Sequence, residues 1–387
     1  MAGKRRFGRV RRLPSGRWQA RYKGPDGIDR AAVRTFASKT DAERWLALTE
    51  AEIIRGDWID PDAGRVQFGQ YARSWVAERA NLRPKTTQLY DGLVRLHLSP
   101  SFGMLRVQDI TEPHVRRWRK SLLDAGTGEV TVAKAYRLFK AILNTAVDDG
   151  LIRRNPCRIK GAGQERSPER PVLTIRQVFD LADAIEQRYR ALILLAVFGS
   201  LRWGELAALR RRHIDPAIGT LRVEVSVVEL VDGSLVTGPP KSTAGKRTVF
   251  LPAFLLPEII THLERFTAPG DDSLVFAGPK NGPLRRPNFS RTWRRATESA
   301  GLTGFHFHDL WHTGNHITAA TGASLRELMG RMGHSTTRAA LIYQHRTTER
   351  DRLIAAAMSE IVETELDEIE SPSGTYRARG RRDASSC

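Results

Sequence analysis

Two histidines and a tyrosine in the last third of the chain have the types and order to do chemistry together. The stretch HDLWHTGNHITAATGASLRELMGRMGHSTTRAALIYQH holds His308, Trp311, His312, the pair Gly333-His334, and Tyr343 nine residues after that histidine. Ser324 and Glu327 have capping-box spacing at the start of a short helix, SLRELMGRM. The Thr-rich step after His334 can open another, RAALIY, with Tyr343 near its end. Side chains on neighbouring helices can then converge on one small volume. Histidine gives or takes a proton near neutral pH, and tyrosine can be a nucleophile that forms a covalent intermediate. A single helical His or Tyr is more often structural, so the ordered set carries the argument.

Other elements must bring charge to that volume. ALILLAVF is apolar all round and reads as a buried helix ending at Gly199, with Arg202 and Glu205 directly after it. An Arg beside a buried helix needs a partner or a ligand. The plainer alternative is a surface pair at i,i+3, which contributes only a few tenths of a kcal/mol. Before this helix, LTIRQVFDLADAI is amphipathic with Thr174 as its cap. Residues 220–252 change to period two around a turn at Asp232-Gly233, which predicts one small antiparallel sheet. Lys241 sits in the turn GPPKSTAGKR before the last strand; a lone Lys in such a turn is ordinarily just solvated. PEIITHLERF predicts a further helix, and Arg285, Arg286, Arg291, Arg294 and Arg295 follow it as phosphate-tracking candidates.

The charge balance names the kind of partner. Lys plus Arg is 62 against 43 for Asp plus Glu, a net charge of +19, which favours a polyanion. Arg outnumbers Lys by 51 to 11, which suits bidentate phosphate contacts and equally suits a GC-rich genome. A membrane surface is the weaker rival, because no long basic amphipathic helix stands out. No apolar run reaches the roughly eighteen residues of a membrane span. The start, MAGKRRFGRVRR, lacks the apolar core of a secretory signal. The two cysteines, Cys157 and Cys387, make no disulfide framework and no metal-ligand spacing, so a reduced, cytoplasmic setting is expected.

From the N-terminus, residues 1–24 carry nine Lys or Arg and no acid. GRVRRLPSG, RWQARYKGPDG and IDRAAVRTF read as three strands with turns at Pro14-Ser15-Gly16 and Pro25-Asp26-Gly27. A helix follows, with Ser38 or Thr40 as its cap. Arg17, Trp18, Arg21 and Tyr22 alternate along the strands, so one face can carry charge while the other packs on the helix. A basic scaffold is the bland reading; a sheet laid on DNA is the sharper one. After a linker at residues 60–64, residues 66–160 read as helices punctuated by Pro84, Pro113 and Gly126. Arg116, Arg117, Arg119 and Lys120 cluster on one, and Lys134, Arg137 and Lys140 share a broad face of the next.

These motifs resemble the tyrosine recombinase (phage integrase) family. The family's C-terminal signature runs H-x-x-R, then G-H, then the nucleophilic Tyr, and His308, Gly333-His334 and Tyr343 fall in those places. Its first box, G-x-R-x-G-E-L, is matched at Gly199 to Leu206 apart from one inserted position before Arg202. The resemblance implies that Arg202 binds the scissile phosphate, that Glu205 orients it, and that Lys241 is the general acid to the leaving 5′-oxygen. His308 and His334 would join them and Tyr343 would be the nucleophile, with His312 in support. The family's second Arg is expected at 311, where this chain has Trp311. Three readings stay open: a DNA-binding protein at attachment-like sites that cleaves poorly, replacement by another arginine such as Arg331 or Arg346, or a single-site variant of an active integrase.

The implied architecture is multidomain. A small α/β arm-site DNA-binding module of three strands plus a helix occupies residues 1–60, and an all-α core-binding domain residues 66–160. A mainly α catalytic domain with a small antiparallel sheet occupies residues 170–362, and residues 363–387 form an acidic then basic tail whose composition predicts disorder. The DNA-facing candidates are Arg17, Trp18, Arg21, Arg116, Arg117, Lys120, Lys134, Arg286 and Arg291. The implied activity is site-specific recombination of a phage or mobile element through a 3′-phosphotyrosine. The implied partners are double-stranded DNA at attachment sites, a homotetramer on that DNA, and an accessory bending or excision factor. No cofactor is implied. A type IB topoisomerase shares the tyrosine chemistry, but the separate N-terminal module argues against it.

Overall fold

The computed structural model describes residues 7–165, 170–240, 243–341, 352, 355–360 and 362–363. The chain divides into two compact units: the first runs to Glu169 and takes in Leu230–Asp232, and the second begins at Arg170 and holds the rest.

The first unit begins with three antiparallel strands, β1 (Arg9–Arg12), β2 (Trp18–Lys23) and β3 (Asp29–Ala31), in the order β1-β2-β3. Turn chemistry sets the connections, with Gly16 at φ +79° and Gly27 at φ +78°, a region open to glycine. The helix α1 (Lys39–Arg55) starts where the Ser38 side chain accepts from the Asp41 amide and stops at Gly56, φ +76°. Alternation decides the two faces of the sheet. Ala20 and Tyr22 are buried with Phe36, Ala42 and Leu46, and Val10 and Trp18 pack against them. Arg9, opposite Arg21 in register, and Arg11, opposite Gln19, lie at the alternate positions.

Helices follow: α2 (Phe68–Ala77), α3 (Pro84–Leu93), a π turn at Val94–Leu98 that runs into α4 (Ser99–Phe102), α5 (Glu112–Asp124) and α6 (Glu129–Asp148). Pro84 and Pro113 sit in first turns, where a missing N–H costs nothing. Their core is aromatic: Phe68, Phe102, Trp118 and Phe139 are buried, with the Phe102 and Phe139 rings 4.5 Å apart.

The second unit opens with α7 (Ile175–Ala184), capped reciprocally by Thr174 and Gln177, and α8 (Gln187–Phe198). Residues 191–197 are all buried, as an apolar-all-round helix requires. The short α9 (Trp203–Ala207) follows the turn at Ser200, and then come β4 (Ile214–Asp215), β5 (Thr220–Val223), β6 (Ser226–Glu229), β7 (Leu235–Gly238) and β8 (Arg247–Phe250). The period-two stretch forms two sheets rather than the single one expected: β4-β5-β8, and a separate β6-β7 hairpin. The reason is packing, because β6 lies on α9 so closely that a Cβ on Gly204 would stand 2.5 Å from Ser226 Oγ.

The remaining helices are α10 (Leu256–Phe266), α11 (Arg286–Ser299), α12 (Phe307–Ala320), α13 (Leu325–Met332) and α14 (Thr337–Leu341). Helix α12 crosses α8 with no room for a side chain at Gly314, where a Cβ would overlap the Val197 carbonyl oxygen. This close approach brings His308 and Trp311 beside the end of α8. The expected tail at 363–387 lies almost wholly outside the described residues. Among the described residues no helix is long and apolar enough to cross a membrane.

Candidate active site

The turn after α8 is the first support of the site. Ser200 is fully buried with φ +51°, a conformation that a β-carbon disfavours and that marks an over-determined position. Its carbonyl accepts from Arg247 Nη2 at 3.1 Å and from the Trp311 indole Nε1 at 3.1 Å. Two residues on, Arg202 caps α9, and its amide donates to Glu205 Oε2 at 3.0 Å. The Arg202 guanidinium donates to Glu205 Oε1 at 3.2 Å.

Glu205 is only 4% exposed, so the surface-pair reading of Arg202 and Glu205 does not hold. A carboxylate so buried needs strong compensation. A second guanidinium supplies it: Arg247 Nη2 lies 2.9 Å from Glu205 Oε2, and both side chains are almost wholly buried. Arg247 also donates to the Arg331 and Gly245 carbonyls, at 2.8 and 3.0 Å. Sequence reasoning missed Arg247. Arg247 is two residues from buried Val249 on β8 and so shares its inward face.

Trp311 is the hub. It is 5% exposed and packs on Leu328 and Met332 of α13. The Arg202 guanidinium carbon lies 4.5 Å from the indole centroid, a cation–π contact. The His308 ring stacks on it at 5.2 Å with 10° between planes. His312 and His334 meet it edge-on, each at 5.2 Å. Arg202, His308 and His334 thus share one neighbour, the residue that departs from the family pattern.

His334 is carried by the cap of α13. The helix starts with the Ser324–Glu327 capping box expected from sequence and ends at Gly333, φ +66°. A Cβ there would stand 3.0 Å from Arg247 Nη1, so both backbone and space call for glycine. Loss of solvation pushes His308 and His334 down to about 4, and nearby charge on His312 and Arg202, with Arg247 for His334, acts in the same direction. Burial lowers His312 as well. His308 and His334 are therefore neutral at pH 7 in the free protein.

The start of α12 is tied down from upstream. Asp309 is fully buried; its Oδ2 accepts from the His306 amide at 3.0 Å, and Arg170 Nη1 lies 3.5 Å from its Oδ1. The Leu173 amide donates to Thr313 Oγ1 at 3.2 Å on the same helix. None of these five residues stood out in the sequence.

Arg331 does not enter the site as one sequence reading allowed. Its guanidinium donates to the Phe198 and Phe250 carbonyls at 2.7 and 3.2 Å. Lys241, Tyr343 and Arg346 lie outside the described residues. Among the described residues no group of three or more His, Cys, Asp or Glu is arranged to hold a metal ion.

The DNA-facing candidates divide. Trp18 is half-buried and packs on the core of its module, on the face opposite Arg21; alternation in the strand is the reason. Arg17 is exposed and donates to Thr35 Oγ1 at 2.7 Å, and Arg21 pairs with Asp29 at 2.9 Å. Arg116, Arg117 and Lys120 are exposed on α5, and Arg286 and Arg291 on α11. Lys134 lies 3.9 Å from Glu165. Arg285 is engaged within the protein: its guanidinium donates to Glu229 Oε1 at 3.1 Å and to the Gly233 carbonyl, tying the hairpin to the start of α11 while the side chain stays partly exposed.

Known proteins match this arrangement along the chain. Residues 171–350 match the phage integrase family model, residues 6–55 the phage integrase N-terminal domain, and residues 67–123 the phage integrase N-terminal SAM-like domain. A Mycobacterium tuberculosis protein named as a prophage phiRv2 integrase is 40% identical over 372 residues, 94% of this chain and 97% of that one. The Tn1549 transposon integrase in complex with circular-intermediate DNA superposes with TM-score 0.66 at 19% identity, over 75% of this chain and 98% of that one. A lambda integrase tetramer bound to a Holliday junction gives TM-score 0.54 at 17% identity, over 85% and 96%.

Proposed function

The chain belongs to the phage integrase family of tyrosine recombinases, and from that premise we propose that Tyr343 cleaves and rejoins DNA at attachment sites, with Arg202, Lys241, His308 and His334 around the scissile phosphate. The observation that carries the reading is the meeting of Arg202, His308 and His334 on one indole, with a tyrosine nine residues beyond the last.

In this reading the Tyr343 hydroxyl oxygen attacks phosphorus and gives its proton to a neutral imidazole of His308 or His334, while the bond from phosphorus to the 5′-oxygen breaks. The products are a 3′-phosphotyrosine and a free 5′-hydroxyl, whose oxygen takes up a proton from Lys241. A 5′-hydroxyl of the partner strand then reverses the step. The phosphodiester energy is kept in the covalent link, so the exchange is close to balanced. Charge builds on the non-bridging oxygens in the transition state, and fixed cationic donors stabilise it. Neutral imidazoles at His308 and His334 can accept a proton, and an arriving phosphate raises their affinity for one. Residues 1–60 would hold arm sites and residues 66–160 would clamp the core site, with four protomers joining two duplexes.

The test is a nicked suicide duplex, from which the 5′-hydroxyl fragment diffuses away. A covalent protein–DNA band that disappears in Tyr343→Phe supports the reading. A second reading is favoured by one observation: the Trp311 indole N–H is engaged with Ser200 and carries no charge. A protein that occupies attachment-like sites without cleaving them would retard the duplex and give no covalent band.

A further inference from the structure

We propose that Trp311 is a positioning residue, an aromatic platform that fixes the plane of the Arg202 guanidinium and the His308 ring toward one anion position; this rests on the recombinase reading. Three contacts of different chemistry support it. The indole face lies 4.5 Å from the Arg202 guanidinium carbon, so the ring quadrupole holds the cation from one side. Glu205 takes an N–H of the same guanidinium at 3.2 Å, so two contacts at an angle define its plane. The His308 imidazole stacks at 10° to the indole, which sets the ring tilt.

The indole is itself anchored. Its N–H donates to the Ser200 carbonyl on the turn that leads to Arg202, and its far edge packs on Leu328 and Met332. Trp311 therefore joins three segments: the turn after α8, the first turns of α12, and α13. With the N–H engaged by Ser200, the platform gives the phosphate no donor of its own. It acts by orienting Arg202 and His308 before DNA arrives, which removes an ordering cost from the reaction. It also avoids setting a third guanidinium beside Arg202 and Arg247 in the empty site, where like charges repel.

A purely structural Trp would need only its apolar volume. Phe keeps an aromatic face and Leu does not, and both leave a gap beside Met332, so the pair isolates the face from the filling. In the full-length protein with selectively 13C-labelled histidine, Trp311→Phe should keep the ring-current displacement of the His308 resonance, and Trp311→Leu should lose it. With the nicked suicide duplex, Trp311→Phe should react within about threefold of the parent. Trp311→Leu should fall at least about tenfold in the saturating rate of covalent-complex formation, the size expected for a partly buried cation–π contact, with the half-saturating DNA concentration within about twofold. Unfolding midpoints for both variants identify simple loss of fold. Equal saturating rates for Leu and Phe, or a change in the half-saturating DNA concentration alone, would overturn the proposal. If the parent protein gives no covalent band, the recombinase reading fails instead. The histidine resonance then decides the platform: displacement lost in Leu alone supports it, and the same behaviour in both overturns it.

Discussion

Glu205 is the residue on which the local electrostatics turn. It is buried between Arg202 and Arg247, and removing one member of a buried pair leaves the others uncompensated. Glu205→Ala is expected to cost about 3–5 kcal/mol of stability, read as a fall in the urea midpoint. Trp311→Arg has the opposite character. It supplies a second fork for the phosphate and should raise the rate of covalent complex formation by roughly 10²–10³ if the rest of the site is competent. Acid acts through the histidines. His334 is held at about 4 in the fold against 6.5 when unfolded. The unfolded chain then binds more protons throughout that window, so this contribution is whole above pH 6.5 and is lost as pH falls toward 4. Urea midpoints at pH 7 and pH 4.5 should differ less in His334→Gln than in the parent. That Arg202, His308 and His334 come together could be read from motif order. Arg247 could not, because an inward Arg on a strand looks like any surface Arg until its carboxylate partner is known to be buried.

Among the elements, α12 is the one whose seat determines the site. It approaches α8 through Gly314, where any Cβ would meet the Val197 carbonyl. Gly314→Ala should therefore cost about 1–3 kcal/mol or more, and it should slow cleavage because His308 and Trp311 move with the helix. The upstream tie is a second control. Arg170 is about half exposed and Asp309 is buried. Arg170→Ala should lower stability only modestly after solvent screening. It should lower cleavage more than DNA binding, and Arg170→Lys should restore part of it. Comparing retardation with covalent yield checks this. Helices were legible where their signals are local: the apolar run of α8, the Thr174 and Ser324 caps, and the prolines of α3 and α5. The split of the sheet was not, because it depends on the fit of β6 against α9, a contact between residues 226 and 204 that no local pattern announces. The alternation expected along the strands is present: Arg21 stands outward while Trp18 turns toward the core of its module.

At the scale of the whole molecule, the net charge of +19 governs the encounter with DNA. Each neutralised phosphate releases a counterion, so affinity for duplex should fall by about 10³–10⁵ between 50 and 200 mM salt if six to ten phosphates are contacted. A much flatter dependence in a retardation assay would argue against so broad a basic footprint. Arg9, Arg11 and Arg21 occupy the sheet positions opposite the module's core. Replacing all three with Ala should weaken binding to arm-type DNA and leave cleavage of a core-site duplex unchanged. The architecture of three modules was legible because each has its own composition and period, and the family resemblance gave their order. The central claim is that Tyr343 attacks a phosphate held among Arg202, His308 and His334. Its most direct measurement is denaturing electrophoresis of the full chain with a nicked core-site duplex labelled on the strand that would stay attached. A band of protein plus 3′-linked DNA should form in the parent, be absent in Tyr343→Phe, and be strongly reduced in Arg202→Ala. A covalent band of the same size in Tyr343→Phe, or none in the parent while the duplex is fully bound, would contradict it.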